Sequence, residues 1–595
     1  MILQALKEYY DRKPELPKTG WELKEIPFLV LVNQEGNFVE FEDTREGEGR
    51  TRRAKAFLVP SLGEKKGNGI KSNLFWENIE YMFGIPVAIE AKKKPDLDRV
   101  RKQHEEFKRR IGKIKGQCNV LEVVRRFVKN ISQEVIKKDK YWPDVVRLNQ
   151  SLLLSMVEKG PVTNDHELRQ LIDSSYAPFG NRGRCLITGD DDVIAALEPP
   201  LKGVHGANTM GASLVSVNNK VRNGVNGGQT PAFASFMKEQ GLNSPIGKKA
   251  SFAYTTALNH LLRKDSQQKL QIGDATTVFW SARPSPLESD VFYFFSEPPK
   301  DDPDRNTEAV RALYQTIWNG AYVVPEDDTR FYSLGLSPNA ARIAVRFWHV
   351  DTVRKVGRRL KQHIEDLAIA HSAKTEAALP MRRLLRSIAP QENDDNIPPN
   401  LAGEVMRAIL EGTPYPVTLL QAAVRRNRAE QSKKNRRTGK PEPNVPYERA
   451  ALIKACLNRS SRFHNPKHEK EIAMCLDPTN TNIGYRLGRL FAVLEKVQSD
   501  ANPGINATIR DRFYGAASST PVTVFGNLMR LSNYHMSKLE KEKPGLFVVR
   551  KKLIGEIMSC ISDFPPHLDL ADQGRFAIGY YHQTHDLWTK KAEKP

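Results

Sequence analysis

The sequence predicts an α+β protein: a mixed N-terminal and central region of short antiparallel sheets and helices, followed by a C-terminal helical bundle. Three observations support this class. Short strand-like segments bounded by turns recur in the first half, as in residues 26–41. From about residue 305 the pattern of apolar residues is mostly helical. Four amphipathic segments follow residue 447, which is enough for a bundle.

Residues 1–142 form the first predicted domain, a region that we expect to lie next to nucleic acid. It begins with a short amphipathic helix within residues 1–20. A β-hairpin is predicted at residues 26–41, with its turn at residues 33–36, and a further strand at residues 54–60. The basic segment 92–142 has apolar residues at helical spacing and predicts helices.

A loop rich in glycine and lysine leads into an aromatic segment at residues 61–84. Apolar residues after position 73 predict a helix, and Ser72 or Asn73 is a suitable N-cap for it. A helix start carries unpaired N–H groups and a positive dipole end, which favour phosphate. The alternative is a loop that only caps the aromatic helix.

Residues 143–420 form the predicted central α+β body. Residues 143–180 are expected to continue as helices, and a further helix is predicted at residues 250–264. A strand followed by a turn is predicted at residues 184–189, and further strands at residues 212–217 and 275–280.

Residues 421–446 combine a run of lysine and arginine with prolines, which predicts a basic flexible linker or loop. Residues 447–595 then form the predicted helical bundle. Its amphipathic segments lie at residues 484–498, 523–540, 548–561 and 575–588.

The charge is the strongest global signal. The chain has 91 Lys and Arg against 70 Asp and Glu, a formal net charge of +21. Such a surplus predicts a polyanionic partner, usually nucleic acid, with a membrane surface as the rival and solubility alone as the simplest alternative.

Cysteine usage and hydropathy indicate the compartment. The five cysteines are far apart and form no CxxC pair, which argues against a disulfide framework and a thiolate zinc site. No apolar run reaches the ~20 residues of a bilayer span, and the N-terminus is no secretory signal. We therefore expect a cytoplasmic protein without a membrane partner.

Catalytic motifs are absent from the sequence. It has no complete phosphate-binding loop and no GxSxG motif. The acidic run Asp190–Asp192 could suggest a divalent cation, but three adjacent aspartates in a turn cannot all face one ion. We expect no cofactor, no metal and no catalytic residue. The rival hypotheses are a metal-dependent nuclease with an unrecognised carboxylate site there and a generic RNA-binding scaffold.

Two loops carry residues suited to nucleic acid, because asparagine, serine and glutamine can contact base edges while lysine and arginine neutralise phosphate. The candidate DNA-contacting residues in these loops are Gly67, Asn68, Lys71, Ser72, Asn73, Asn218, Asn219, Lys220, Arg222 and Gln229. The candidate backbone- or strand-binding residues are Arg50, Arg52, Arg53, Arg425, Arg426, Lys433, Lys434, Arg436 and Arg437.

Several sequence blocks spread along the chain resemble the Csd-type large subunit of the type I-C CRISPR Cascade complex. They include MILQAL, GIKSNLFWENIEYMFG, CLITG, QTPAFASF, SFAYTTALNHLL, FYSLGLSPNAARIAVRFW and FAIGYYHQ. The resemblance implies a non-catalytic subunit of a crRNA-guided antiviral complex. It would recognise the protospacer-adjacent motif in double-stranded DNA, help to open the duplex for R-loop formation and recruit the helicase–nuclease.

The same resemblance implies the partners of the chain. These are crRNA, target double-stranded DNA, the backbone and crRNA-processing subunits, a small subunit and the helicase–nuclease. The C-terminal bundle resembles a small subunit, and Met474 is a possible internal translation start for it. Lys71 would then supply charge beside the motif, Asn73 would contact a base edge, and Gln229 would act as a wedge at the first base pair.

Overall fold

The computed structural model describes most of the chain, at residues 1–47, 52–61, 69–87, 96–175, 180–217, 237–272, 275–295, 307–321, 328–373, 375–435, 439, 441–465 and 471–588. It is 50% helix and 15% strand, which confirms the α+β class. The chain divides into two compact units. The first contains residues 1–201 and 210–260, and the second contains residues 202–209 and 261–595.

In the described residues of the first unit, the strands form three small sheets, and helices connect them along the chain. Its strands are β1 Trp21–Glu25, β2 Phe28–Val32, β3 Phe38–Asp43, β4 Ala56–Pro60, β5 Trp76–Glu77, β6 Leu152–Met156, β7 Gly160–Pro161, β8 Arg182–Arg184 and β9 Asp191–Val193. Its helices are α1 Ile2–Asp11, α2 Ile79–Phe83, α3 Leu97–Gly112, α4 Asn119–Asn130, α5 Gln133–Lys137, α6 Trp142–Leu148 and α7 His166–Ser175, and α8 Lys248–Leu261 leads out of the unit.

The predicted hairpin is confirmed as β2 and β3. The Asn33 side chain accepts a hydrogen bond from the N–H of Asn37 at 2.8 Å. The N–H of Gly36 donates to the carbonyl oxygen of Asn33, which closes the turn at the predicted residues. Asparagine is favoured there because its side chain can replace a backbone acceptor in a tight turn.

Strand β6 lies inside the largest sheet of the first unit, whose strand order is β3-β2-β6-β5. Strand β7 also pairs with β6. Strand β6 runs parallel to β2 and antiparallel to β5, and all five of its residues are buried. The helices predicted for residues 143–180 are therefore wrong at residues 152–156. A short, continuously apolar run gives no periodicity that separates a buried strand from a helix.

The strand predicted at residues 212–217 is also wrong. In the part of the chain that the structure describes, this segment forms an isolated bridge between Ala212 and Leu201 and no ladder. The β-branched residues of the segment favour an extended chain, but a strand also requires a neighbouring strand to pair with.

The second unit combines one sheet with many helices. Its strands are β10 Lys269–Ile272, β11 Ala275–Ser281, β12 Arg330–Asn339 and β13 Arg342–Thr352. They pair antiparallel in this order. Its helices are α9 Leu287–Phe295, α10 Thr307–Trp318, α11 Val353–Leu367, α12 Met381–Ile388, α13 Pro399–Glu411, α14 Val417–Ala429, α15 Tyr447–His464, α16 Ile483–Ala501, α17 Ile509–Ala517, α18 Phe525–Glu542, α19 Pro544–Met558 and α20 Leu570–Trp588.

Helices α16 and α20 pack backbone to backbone. A Cβ atom on Gly488 would lie 2.1 Å from the carbonyl oxygen of Phe576, and one on Gly579 would lie 2.1 Å from that of Tyr485. Only glycine permits this approach, because any larger side chain would have to force the helices apart. The four predicted helices of the bundle are confirmed within this region.

The hydrophobic core of the second unit does not begin at residue 447. Buried residues from α11 to α14 belong to the same cluster as those of the bundle. Residues 421–429, predicted as part of a linker, instead lie in α14. The charge run misled the prediction, because Arg425 and Arg428 are exposed on a helix that also carries buried Leu419, Ala423 and Val424. The finer division into four segments stays a prediction.

Candidate nucleic-acid interfaces

The segment 71–73, which we call the motif segment, is held by the carboxylate of Glu77. Oε1 of Glu77 accepts from the backbone N–H of Asn73 at 3.0 Å and from its Nδ2 at 2.9 Å. Oε2 accepts from the N–H of Asn78 at 3.1 Å. Glu77 itself lies in β5, paired with Leu152 of the central strand. The segment is thus attached to the most buried part of the sheet.

The predicted N-cap at Ser72 or Asn73 is wrong. Helix α2 begins at Ile79, and Asn78 caps it by accepting from the N–H of Tyr81 at 3.2 Å. Strand β5 and Phe75, which has a φ of 68°, lie between the motif segment and the helix. The five-residue helix α2 therefore supplies no dipole end to residues 71–73, and any affinity for anions there must come from side chains.

Arg110 of α3 makes a second contact with the motif segment. Its guanidinium donates a hydrogen bond to the carbonyl oxygen of Ser72. Burial lowers the pKa of Arg110, although Glu106 and Glu77 act against this shift. The Ser72 hydroxyl donates to the carbonyl oxygen of Asn73 at 3.0 Å. These contacts make the backbone of residues 72–73 a fixed structure.

Exposure separates the three residues of the motif segment. Ser72 is 0% and Asn73 is 3% exposed, whereas Lys71 is exposed to solvent. Lys71 can therefore reach a phosphate directly, while a contact by Asn73 requires the ligand to displace what covers it. Gly67 and Asn68, predicted in the same loop, lie outside the described residues.

The basic cluster predicted at Arg50, Arg52 and Arg53 is partly an internal ion network. Arg52 contacts the carboxylate of Asp43 at 2.7 Å, and Arg45 contacts the same carboxylate with two nitrogens. The hydrogen bond from Arg45 lowers the pKa of Asp43. Arg53 is exposed and joins Glu46 in a backbone bridge. Arg50 lies outside the described residues.

The basic run after residue 421 contains two cations that face carboxylates inside the protein. Arg426 lies 3.4 Å from Glu430. Lys433 lies 2.8 Å from Glu392 and 3.2 Å from Glu442. Burial lowers the pKa of Lys433, but the hydrogen bond that Lys433 donates to Glu392 and the charge of Glu430 outweigh it and raise the pKa. These two cations are therefore compensated before any ligand binds.

Other cations of this run face solvent. Arg425 of α14 and Lys434 are exposed. Lys434 forms an isolated β-bridge with Pro441. Arg436 and Arg437, the remaining residues predicted to bind a nucleic-acid backbone, lie outside the described residues.

The structure adds two arginines that sequence reasoning missed. Arg428 lies one helical turn after Arg425, and Arg512 lies on α17; both are exposed. The side chain of Gln431 joins α14 to α17, because it donates to the carbonyl oxygen of Asp511 at 3.1 Å and accepts from the N–H of Gly515 at 2.9 Å. We call Arg425, Arg428 and Arg512 the arginine face.

None of these three arginines is ion-paired with a carboxylate among the residues that the structure describes. A charge run contained Arg425 and Arg428, although the second was not singled out. No local pattern marks Arg512, because its place beside α14 arises from tertiary packing. Exposed guanidinium groups without a carboxylate partner suit phosphate binding.

A buried ion pair lies beneath the arginine face. Arg449 of α15 donates to Glu430, and both residues are buried. Arg449 also donates to the carbonyl oxygen of Asn444 at 3.0 Å and to the side chain of Asn427 at 3.3 Å. Burial lowers the pKa of Arg449, while Glu430 favours its charged form. This network fixes the end of α14 relative to α15.

The second predicted loop cannot be placed, since Asn218, Asn219, Lys220, Arg222 and Gln229 all lie outside the described residues.

The acidic run at residues 190–192 is partly engaged in contacts within the protein. Asp191 lies 2.6 Å from Arg182, and Asp192 accepts from the N–H groups of Val193 and Lys249. Within the described ranges, no group of three or more His, Cys, Asp or Glu side chains is arranged to hold a metal ion. No helix of the described part is long and apolar enough to cross a membrane.

A family model described as CRISPR-associated protein (Cas_Csd1) matches residues 6–588. The chain belongs to the Cas_Csd1 family. This match confirms the resemblance to a Csd-type large subunit and makes the chain a CRISPR-associated component of a Cascade complex. A search of the curated proteins found no match. The match covers both compact units and therefore includes the residues of the motif segment and of the arginine face.

Proposed function

We propose that the protein is the non-catalytic large subunit of a cytoplasmic, crRNA-guided type I-C Cascade complex. It recognises the protospacer-adjacent motif in double-stranded DNA, helps to open the duplex and recruits the helicase–nuclease. The observation that carries this proposal is the family match over residues 6–588. The partners are crRNA, target DNA, the other Cascade subunits and the helicase–nuclease.

In this proposal the two interfaces have different tasks. The motif segment contacts the duplex beside the motif, where Lys71 neutralises phosphate and Asn73 recognises a base. The arginine face binds the backbone of the guide or of a separated strand. The division of tasks is typical of nucleic-acid recognition, in which phosphate contacts position the ligand and base contacts carry sequence information.

The C-terminal helices also support a role as a small subunit. Met474 is 50% exposed and lies between α15 and α16. A product that begins at Met474 contains α16 to α20 and lacks α15. We propose that this product adds the same helices to the complex as a separate chain.

Replacement of Asn73 by alanine tests motif recognition. The complete complex carrying this variant should lose about 1–3 kcal/mol of affinity for duplex DNA with the cognate motif. DNA with a scrambled motif should bind almost as it does to the parent. Equal losses on both DNAs would contradict base recognition by Asn73.

A further inference from the structure

Three N–H groups converge on the carboxylate of Glu77, which is 5% exposed. Two come from Asn73 and one from Asn78, at 2.9 to 3.1 Å. Both carboxylate oxygens therefore act as acceptors. Because the carboxylate oxygens of Glu77 can only accept, they can hydrogen-bond the Nδ2 of Asn73 but not its amide oxygen. Glu77 therefore fixes the orientation of this amide.

The amide oxygen of Asn73 consequently points away from Glu77. It is buried, and it has no hydrogen-bond partner among the described residues. A buried acceptor without a partner is unfavourable, because it has lost its water without gaining another donor. A ligand that brings a hydrogen-bond donor to this oxygen would supply that missing hydrogen bond, whereas a ligand that brings a second acceptor would not.

The backbone around Asn73 cannot easily turn to present another group. Trp76 donates from its ring nitrogen to the carbonyl oxygen of Pro60 at 2.9 Å and pairs with Leu153 of β6. Phe75 has a positive φ and is 0% exposed. Arg110 binds the carbonyl oxygen of Ser72. The orientation set by Glu77 is thus maintained from both sides.

We propose that Glu77 is the positioning residue of the motif contact and that Asn73, held by it, accepts a hydrogen bond from the exocyclic amino group of a motif base. This inference rests on the proposed function and deepens it. Adenine and cytosine present such an amino group in the major groove, and guanine presents one in the minor groove. Thymine presents none, so it is excluded at the contacted position.

The test compares Glu77→Gln with the parent in the complete complex. Glutamine keeps the size of the side chain but can donate as well as accept, so the Asn73 amide can turn over. Discrimination between motif bases should fall about five- to tenfold at one position, the effect of roughly one hydrogen bond. Affinity for a target already unpaired beside the motif should not change. Glu77→Asp, which keeps an acceptor, should retain more discrimination than Glu77→Gln.

Glu198→Gln provides a matched control in the same unit. Its carboxylate accepts hydrogen bonds from the hydroxyls of Ser251 and Tyr254, away from the motif segment in sequence. This variant should keep full base discrimination. If Glu198→Gln and Glu77→Gln reduced binding to all targets alike, the role of Glu77 would be structural only and the proposal would be overturned.

Base analogues test the acceptor assignment without any mutation. In the parent complex, removal of the exocyclic amino group at the contacted position should cost as much as Asn73→Ala, and the two changes together should cost no more than one. Removal of a ring acceptor, as in a 7-deaza purine, should have little effect. The opposite pattern would overturn the assignment even if Glu77→Gln failed to fold.

The two hypotheses fail in distinguishable ways. A parent complex that binds all motif sequences equally would contradict the proposed function itself. Loss of discrimination in Asn73→Ala together with full discrimination in Glu77→Gln would leave the proposed function intact and overturn only the positioning role of Glu77.

Discussion

The motif segment and the arginine face have opposite constructions. In the motif segment, Asn73 is buried and its amide is held by Glu77. In the arginine face, Arg425 and Arg428 are exposed and unpaired within the described part of the chain. Base recognition needs a group with a fixed orientation, whereas phosphate binding needs charge and reach. The difference agrees with the proposed division of tasks, in which one region supplies specificity and the other supplies affinity.

The arginine face depends on the buried ion pair below it, and this gives the largest expected effect. Replacement of Arg449 by methionine leaves the carboxylate of Glu430 buried without its main partner. The free energy of unfolding should fall by about 3–5 kcal/mol. Denaturant unfolding of the purified chain measures this change.

The matched control is Arg428→Met, which removes an exposed guanidinium from the neighbouring helix. It should change the free energy of unfolding by less than about 0.5 kcal/mol. Similar values for the two variants would show that Glu430 and Arg449 do not form the support that the geometry indicates.

Replacement of Arg425, Arg428 and Arg512 by glutamine should weaken binding to all DNA sequences alike. The slope of log affinity against log salt should shrink by about 0.7–0.9 for each phosphate contact that is lost. Titrations of the complete complex with cognate and scrambled targets at several salt concentrations measure the slope.

A control with the same change in charge replaces three exposed arginines that already contact a carboxylate: Arg182, Arg311 and Arg407. Its slope should stay close to that of the parent. A loss confined to the cognate motif would break the division of tasks, because it would assign base recognition to the arginine face.

Much of the fold was predictable where the signal is local. The hairpin turn at Asn33 depends on a side-chain contact four residues along the chain, and the C-terminal helices on the period of their apolar residues. Strand β6 was missed because its position in the sheet depends on β2, more than 100 residues earlier.

The candidate site likewise contains contacts that the sequence could have revealed and contacts that it could not. The pairing of Arg426 with Glu430 has the i, i+4 spacing of a helical ion pair and could have been found in the sequence. The contacts of Lys433 with Glu392 and of Gln431 with α17 join distant segments, and no local pattern marks them. Glu77 was overlooked because a single glutamate in an aromatic segment carries no motif, and only its hydrogen bonds with Asn73 and Asn78 single it out.

The smallest expected effect is a dependence on pH, which should appear in the motif segment and not in the arginine face. His104 of α3 contacts α2, the helix that follows the motif segment in the chain: its Nδ1 hydrogen-bonds the carbonyl oxygen of Tyr81 at 2.9 Å. Burial lowers the pKa of His104, Lys108 lowers it further, and the Tyr81 carbonyl and Glu105 oppose the shift. The folded protein thus favours the neutral ring. Its contribution to stability is complete above the unfolded pKa of about 6.5 and is lost as the pH falls towards the lowered folded pKa.

Between pH 7.5 and 5.5, His104→Gln should therefore lose less stability than the parent, by under about 1.4 kcal/mol per pH unit. Glutamine can still donate to the Tyr81 carbonyl, so the comparison isolates the titration. Base discrimination by the parent complex should weaken over the same range only as far as this stability is lost, because α2 packs against α3 and the protonated ring still donates to the Tyr81 carbonyl. Backbone binding by the arginine face should not change, since guanidinium groups stay charged. A parent and a His104→Gln variant with identical pH profiles for both unfolding and discrimination would show that His104 does not couple the motif segment to pH.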